Sequence, residues 1–163
     1  MDKGYVESFV AATKVAFVEM FGIAVECMTP NIVDIESEYR NSSWDFIANI
    51  AIGGDITGLV TLNFEKGVAS RIAASINEKE SASDEEIADV VGEIVNIIAG
   101  RAKANMQDEY KLADRLMIAL PIVTSGKEVV TYFPKDVKRL INIPFRVFED
   151  RRFEVCVAFS SEK

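Results

Sequence analysis

The sequence predicts an α+β fold in which helices pack on one face of a largely antiparallel β-sheet. Three segments carry apolar residues at helical spacing, and several others alternate apolar and polar residues as strands do. The segments follow in the order helix, strands, two helices, strands, which favours a layer of helices on an antiparallel sheet. With 163 residues, 49% of them hydrophobic, the chain can bury one core. We expect a single domain over residues 1–163, although length alone also allows two tightly merged halves.

The first half of the chain begins with a helix and continues with strands. Residues 5–21 have apolar side chains at helical spacing, and Gly22 stands where a C-terminal cap is expected. Short strands are predicted over "IAVECM" and "NIVDIESEYR". The alternating segments "SSWDFIANIAI" and "ITGLVTLNF" flank the turn signal "GGD", which predicts a β-hairpin.

The second half contains two helices followed by strands. The first helix is predicted over "EKGVASRIAASINEK". Ser83 followed by Glu86 is a capping-box signature, and it predicts a helix from Asp84 to about Met106. The later strands are predicted over "RLMIALPIV", "EVVTYF", "INIPFRVF" and "FEVCVAF", the last two joined by a turn at "EDRR".

Composition disfavours several classes of partner. The net charge is −8, and no window concentrates Lys and Arg, so we expect no nucleic-acid binding. The first helix carries Glu7, Lys14 and Glu19, which predicts neither a signal peptide nor a membrane span and therefore a cytoplasmic location. Cys27 and Cys156 lie in apolar segments and are predicted to be buried free thiols rather than a disulfide.

Residue usage also limits the chemistry. The chain has no histidine, which excludes Ser-His and Cys-His catalysis, histidine-rich zinc sites and HExxH metalloprotease chemistry. Neither a GxGxxG nor a GxxxxGK[ST] motif is present, so no nucleotide site is predicted and no cofactor is expected. Any catalysis must use carboxylates, amides, hydroxyls or the groups of a partner.

The helix that begins at Asp84 has two distinct predicted faces. Its apolar stripe faces the core and consists of Ile87, Val90, Val91, Ile94, Ile97, Ile98 and Ala102. The opposite stripe consists of Glu86, Asp89, Glu93, Asn96, Gly100 and Lys103. Glu93 and Asn96 are thus neighbours on one predicted exposed face. Gly100 costs the helix roughly 1 kcal/mol relative to Ala and leaves bare backbone that another protein could approach.

Spacing alone does not make Glu93 and Asn96 a site. The competing interpretation is a solvated helix surface, and the same spacing recurs at Glu38 and Asn41, where nothing else indicates a function. If that segment is a strand, its two side chains point to opposite faces and cannot act together.

The segment "DVVGEIVNIIAGRAKANM", followed by "ALPIVTSG", resembles the signature helix and next strand of the CheC/CheX/FliY family of chemotaxis phosphatases. Asp89, Glu93, Asn96 and Pro121 match the family pattern in order. One copy of the motif, rather than the two of typical CheC members, is similar to the CheX branch.

This resemblance implies a CheC/CheX-like fold and a phosphatase acting on the aspartyl-phosphate of a CheY-type response regulator. Glu93 and Asn96 are the implied catalytic residues, with Asn96 holding a water and Glu93 pairing with a lysine of the regulator. Asp89, Gly100 and Pro121 are the implied partner contacts. The regulator carries the Mg²⁺, and the chain is expected to form a homodimer through sheet edges. The alternatives are a non-catalytic binding module for a regulator or flagellar-switch partner, and a structural domain without a site.

Overall fold

The computed structural model describes residues 3–35, 44–133 and 135–160. Helices in these ranges are α1 (Lys3–Phe21), α2 (Lys66–Ile76) and α3 (Asp84–Ala104), the last continued by a π-helical turn (Asn105–Glu109). The strands are β1 (Glu26–Cys27), β2 (Asn31–Asp34), β3 (Trp44–Gly54), β4 (Gly58–Phe64), β5 (Leu116–Ile118), β6 (Ile122–Val129), β7 (Arg139–Val147) and β8 (Arg151–Phe159). The predicted order of helices and strands is confirmed.

All described strands belong to one sheet, and every pairing between them is antiparallel. β7, β8, β4 and β3 form its centre in that order. The short strands β1 and β2 both pair with β7 at one edge, while β5 and β6 both pair with β3 at the other. The predicted α+β fold class is therefore confirmed.

The main core lies between the helices and one face of the sheet. Alternate residues of the central strands, such as Phe46, Leu62 and Val155, are buried against α1, α2 and α3 because successive strand residues point to opposite faces. Phe153 is stacked on Phe17 of α1, with 4.8 Å between the ring centroids. No described helix is long and apolar enough to cross a membrane.

The ends of two helices follow the predicted signals. Ser83 Oγ accepts a hydrogen bond of 3.2 Å from the Glu86 backbone N–H, so the side chain satisfies one of the free donors in the first turn of α3. Gly22 has φ +63 directly after α1, a left-handed conformation that glycine adopts without a steric penalty.

The sheet face away from the helices is partly polar and yet buried. Thr61, Asn63 and Cys156 are fully buried there, and Asn63 Nδ2 donates to Cys156 Sγ at 3.6 Å. Both cysteines are free thiols, as predicted. Cys27 is only half-buried, so the prediction of burial is correct for Cys156 and too strong for Cys27. Burial nevertheless raises the pKa of the Cys27 thiol, which Lys14 partly offsets.

Four strand and turn boundaries differ from the prediction. The segment "RLMIALPIV", predicted as one strand, is divided between β5 and β6. The prediction of a strand over "EVVTYF" is wrong beyond Val129, where β6 ends. The turn of the first hairpin lies at residues 55–57 rather than at "GGD". The turn before β8 lies at residues 148–150 rather than at "EDRR". The last part of the predicted "NIVDIESEYR" strand, with Glu38 and Asn41, lies outside the described residues.

Glu154 gives the sheet a pH-dependent stability. Burial of its carboxyl on the face away from the helices raises its pKa, although the Asn142 side chain and Arg152 oppose the shift. Between the unfolded-state and folded-state pKa values, the folded chain therefore binds more protons at Glu154 than the unfolded chain does. The stability that the protonated Glu154 contributes is fully present below the unfolded-state pKa and is lost as pH rises through the folded-state pKa. We expect Glu154→Gln to be more stable than the wild type at neutral pH and equally stable well below the unfolded pKa.

Urea unfolding of both proteins at neutral and acidic pH measures this difference. Glu149→Gln, in the exposed turn before β8, is the control and should leave the stability unchanged at either pH. A wild type that is more stable than Glu154→Gln at neutral pH would contradict the assignment.

Candidate functional site

Helix α3 lies between α1 and the sheet edge formed by β6. On the α1 side, Arg101 forms an ion pair with Glu19. On the β6 side, Gly92 faces Val123. The apolar face of α3 is buried against the core, with Ile87, Ile94 and Ile98 all at 0% exposure. Only one ridge of the helix, between α1 and β6, is left in contact with solvent.

Glu93 and Asn96 occupy this ridge, and both are exposed. They are three positions apart in one continuous α-helix, so their side chains are neighbours on its surface. Within the described part of the chain, neither side chain has a hydrogen-bond or ion-pair partner. The carboxylate and the carboxamide are thus both available to another molecule.

The other residues of the predicted polar stripe divide into two groups. Asp89 and Gly100 are exposed on the ridge, and a Cβ added at Gly100 would meet nothing within 4 Å. Glu86 and Lys103 are half-buried. Glu86 is already engaged, since its Oε2 accepts from Asn77 Nδ2 at 3.1 Å. Burial disfavours the charged form of the Glu86 carboxyl, but Lys79 and Ser83 together stabilise this form by more than burial disfavours it. The pKa of Glu86 is therefore lowered. The exposed part of the stripe is therefore Asp89, Glu93, Asn96 and Gly100.

Gly92 lies directly before Glu93, is buried, and was not among the predicted site residues. A Cβ at this position would stand 3.1 Å from Val123 Cγ2, so the absent side chain lets β6 approach α3 closely. A glycine inside an otherwise strong helix, directly before Glu93, was the available signal, because it costs helix stability unless close packing requires it.

A β-bulge divides the sheet edge beside α3. Ile118 pairs with Ile52, whereas Ile122 pairs with Asn49, so the three residues at 119–121 stand opposite the two residues at 50 and 51. Such an extra residue bends the strand and changes which face the later side chains point to. As a result Val123 points towards α3 and Ile122 points away from the helices.

Pro121 is part of this bulge and lies two residues before Val123 in the chain. Val123 is the residue that faces Gly92 of α3, and Gly92 directly precedes Glu93. Two residues of extended chain span about 7 Å, so Pro121 lies on the sheet edge within that distance of Val123. The Leu112 backbone N–H donates to the Met106 carbonyl just beyond the end of α3, so the chain approaches this edge from the C-terminal end of the helix.

The chemistry that the ridge can perform is limited to hydrogen bonding and charge pairing. A carboxamide both donates and accepts hydrogen bonds and stays neutral, so it can orient a water molecule. A free carboxylate can pair with a cation. The described residues include no group of three or more His, Cys, Asp or Glu side chains that could hold a metal ion. The site has the composition of a surface that acts together with groups of a partner.

Comparison with known proteins gives both a family and a fold. The family model "Chemotaxis phosphatase CheX" matches residues 46–146. The structure is similar to a CheC-like superfamily protein from Shewanella sp. PV-4, with a TM-score of 0.82 and 22% identity over 99% of this chain and 100% of that one. It is also similar to the chemotaxis protein CheX from Desulfovibrio desulfuricans, with a TM-score of 0.81 and 23% identity over 95% and 98% of the chains.

A third similar structure is the CheX-CheY-BeF3-Mg²⁺ complex from Borrelia burgdorferi, with a TM-score of 0.76 and 19% identity over 96% of this chain and 98% of that one. The search of curated proteins finds no match. At these identities the solved structures establish the fold. Because the family model covers more than half of the residues, this chain belongs to the CheX family of chemotaxis phosphatases.

Proposed function

We propose that this protein dephosphorylates the aspartyl-phosphate of a CheY-type response regulator that docks on the exposed ridge of α3. The observation that carries the proposal is the pair Glu93 and Asn96, exposed side by side in a member of a chemotaxis phosphatase family and without a hydrogen-bond or ion-pair partner among the described residues. The Borrelia burgdorferi neighbour, which was solved in complex with CheY, BeF3 and Mg²⁺, supports a regulator as the partner.

Asn96 has the role of holding the attacking water. An acyl phosphate is already activated, and the main requirement for its hydrolysis is a water placed in line with the bond that breaks. The carboxamide of Asn96 can accept from this water and donate to it without acquiring charge. The water oxygen bonds to phosphorus as the bond from phosphorus to the aspartate oxygen breaks, which releases inorganic phosphate and the free carboxylate.

Glu93 has the role of aligning the two proteins. One turn of helix separates its carboxylate from the water-holding amide, so a lysine of the regulator that pairs with Glu93 would fix the register of Asn96 over the phosphoryl group. Asp89 and Gly100, on the same ridge, and Pro121, on the neighbouring sheet edge, are proposed as further contacts with the regulator. Gly100 contributes open space rather than a functional group.

The divalent cation in this proposal belongs to the regulator. The described carboxylates of this chain form no cluster suited to a metal ion. When bound to the regulator, Mg²⁺ neutralises charge on the phosphoryl oxygens. Glu93 and Asn96 can therefore fill their proposed roles without binding the ion themselves.

A non-catalytic binding module is the second candidate, since the ridge could recognise a regulator without hydrolysing it. A time course of a phosphorylated regulator, with and without the protein, separates the two. A phosphatase accelerates the loss of phosphate, whereas a binding module leaves the decay unchanged or slows it. Small phosphate esters should not be hydrolysed, because the site is completed only by the regulator.

We also propose that the protein is a homodimer joined through sheet edges. The described sheet ends in β1 and β2 on one side and in β5 and β6 on the other, and the outer backbone groups of one such edge can pair with a strand of a second copy. Sedimentation equilibrium at working concentration should give the mass of two 163-residue chains. A monomer mass would contradict this.

A further inference from the structure

We propose that Leu120, on the sheet edge beside the α3 ridge, is an apolar anchor for the docked regulator. The inference rests on the proposed function and adds a residue that neither the motif nor the charge pattern indicates. Three observations support this role: the exposure of Leu120, its place in the β-bulge, and the close approach of the same edge to α3 at Gly92.

Leu120 is 86% exposed, more than any other aliphatic side chain among the exposed large hydrophobic residues of the described chain. A single exposed Leu needs no explanation by itself. Leu120, however, lies between the strands β5 and β6 rather than in a distant loop. In a regular strand its side chain would point to the same face of the sheet as that of Ile118, towards the core. The bulge instead leaves it in solvent.

The bulge also determines where the exposed side chain lies. Leu120 and Pro121 lie on the sheet edge directly before Ile122 and Val123, and Val123 faces Gly92 of α3. Pro121 lacks a backbone N–H and has a fixed φ, which disfavours regular hydrogen-bonded pairing of residues 119–121 with β3. The edge beside the ridge therefore presents an apolar group with a restrained backbone.

Gly92 faces Val123 and directly precedes Glu93 of the ridge. Leu120 lies three residues before Val123, so a protein docked on the ridge would also cover this edge. Polar residues of the ridge provide orientation, and an apolar anchor that becomes buried provides affinity. The occupant to which we assign Leu120 is thus the receiver domain whose phosphoryl group faces Asn96. A second copy of this chain at the same edge is the competing occupant.

The test compares Leu120→Ser with Ile122→Ser. Ile122 is a matched control, since it is 68% exposed on the same edge but points to the sheet face away from α3. The initial rate of regulator dephosphorylation gives KM and kcat, and titration with the BeF3-loaded regulator gives Kd. For Leu120→Ser we expect KM and Kd to rise by about fivefold or more with kcat unchanged. For Ile122→Ser we expect KM, kcat and Kd to equal those of the wild type.

An unchanged KM and Kd in Leu120→Ser would overturn the inference while leaving the proposed function intact. A wild type that binds the regulator but does not hydrolyse it would instead overturn the phosphatase function, and Kd would still test Leu120. If Leu120→Ser becomes monomeric while it binds the regulator normally, the residue belongs to a subunit contact and the inference is wrong. Urea unfolding of both variants checks that the fold is retained.

Discussion

Asn96→Ala is expected to abolish the acceleration of regulator dephosphorylation while leaving the protein folded. The substitution removes the only group on the ridge that is proposed to hold the attacking water. Loss of positioning lowers the rate by roughly 100-fold or more, so the regulator should decay at its own rate. Because Asn96 is exposed on the helix surface, the free energy of unfolding should change by less than about 0.5 kcal/mol. The measurement is the rate of phosphate release at saturating regulator.

Two variants make this result specific. Asn96→Gln keeps the carboxamide but moves it by one methylene group, and it should retain a small part of the acceleration. Glu85→Ala, which removes an exposed carboxylate in the first turn of the same helix, should behave as the wild type. Full activity of Asn96→Ala would rule out the proposed role of Asn96.

Glu93→Ala is expected to weaken both the complex with the regulator and the turnover. A hydrogen bond to a charged group contributes on the order of 1.5–3 kcal/mol, so Kd for the BeF3-loaded regulator should rise by roughly 10- to 100-fold. The affinity of the variant should also depend less on salt, because one charge pair of the interface is lost. Titrations of wild type and variant at low and high ionic strength measure both effects.

Glu93→Gln and Asp89→Ala are the matched controls. Glu93→Gln keeps a hydrogen-bond acceptor without the charge and should lie between the wild type and Glu93→Ala. Asp89→Ala removes an exposed carboxylate one turn earlier on the same ridge and should have a smaller effect. If Glu93→Ala binds normally but has lost turnover, Glu93 acts on the chemistry itself rather than on alignment.

The helices and the ridge were predictable because their signals are local. The side chain of Ser83 and the spacing of Ile87, Ile94 and Ile98 depend only on residues within a few turns, and the structure has both the cap and the buried stripe. The exposure of Glu93 and Asn96 follows from the same period. The functional role of Glu93 and Asn96 does not follow from the helical period, because an ordinary solvated surface has the same period. Only the family motif distinguished a site from such a surface.

The sheet edge was not predictable because it depends on distant partners. "RLMIALPIV" has the composition of one strand. The bulge at Leu120 and Pro121 depends instead on the register with β3, in which Ile118 pairs with Ile52 and Ile122 with Asn49. "EVVTYF" is rich in residues that favour strands, yet Glu128 has φ +57 and β6 ends at Val129, opposite Trp44. The close approach of β6 to Gly92 likewise required the packed structure.

Faster loss of phosphate from a regulator is the central activity proposed for this chain. The most direct measurement follows the decay of each of the host's phosphorylated regulators, alone and with the wild-type protein at a saturating concentration. We predict that at least one regulator decays faster with the wild type and at its own rate with Asn96→Ala. A wild type that binds a phosphorylated regulator and leaves its decay unchanged or slower would contradict this activity.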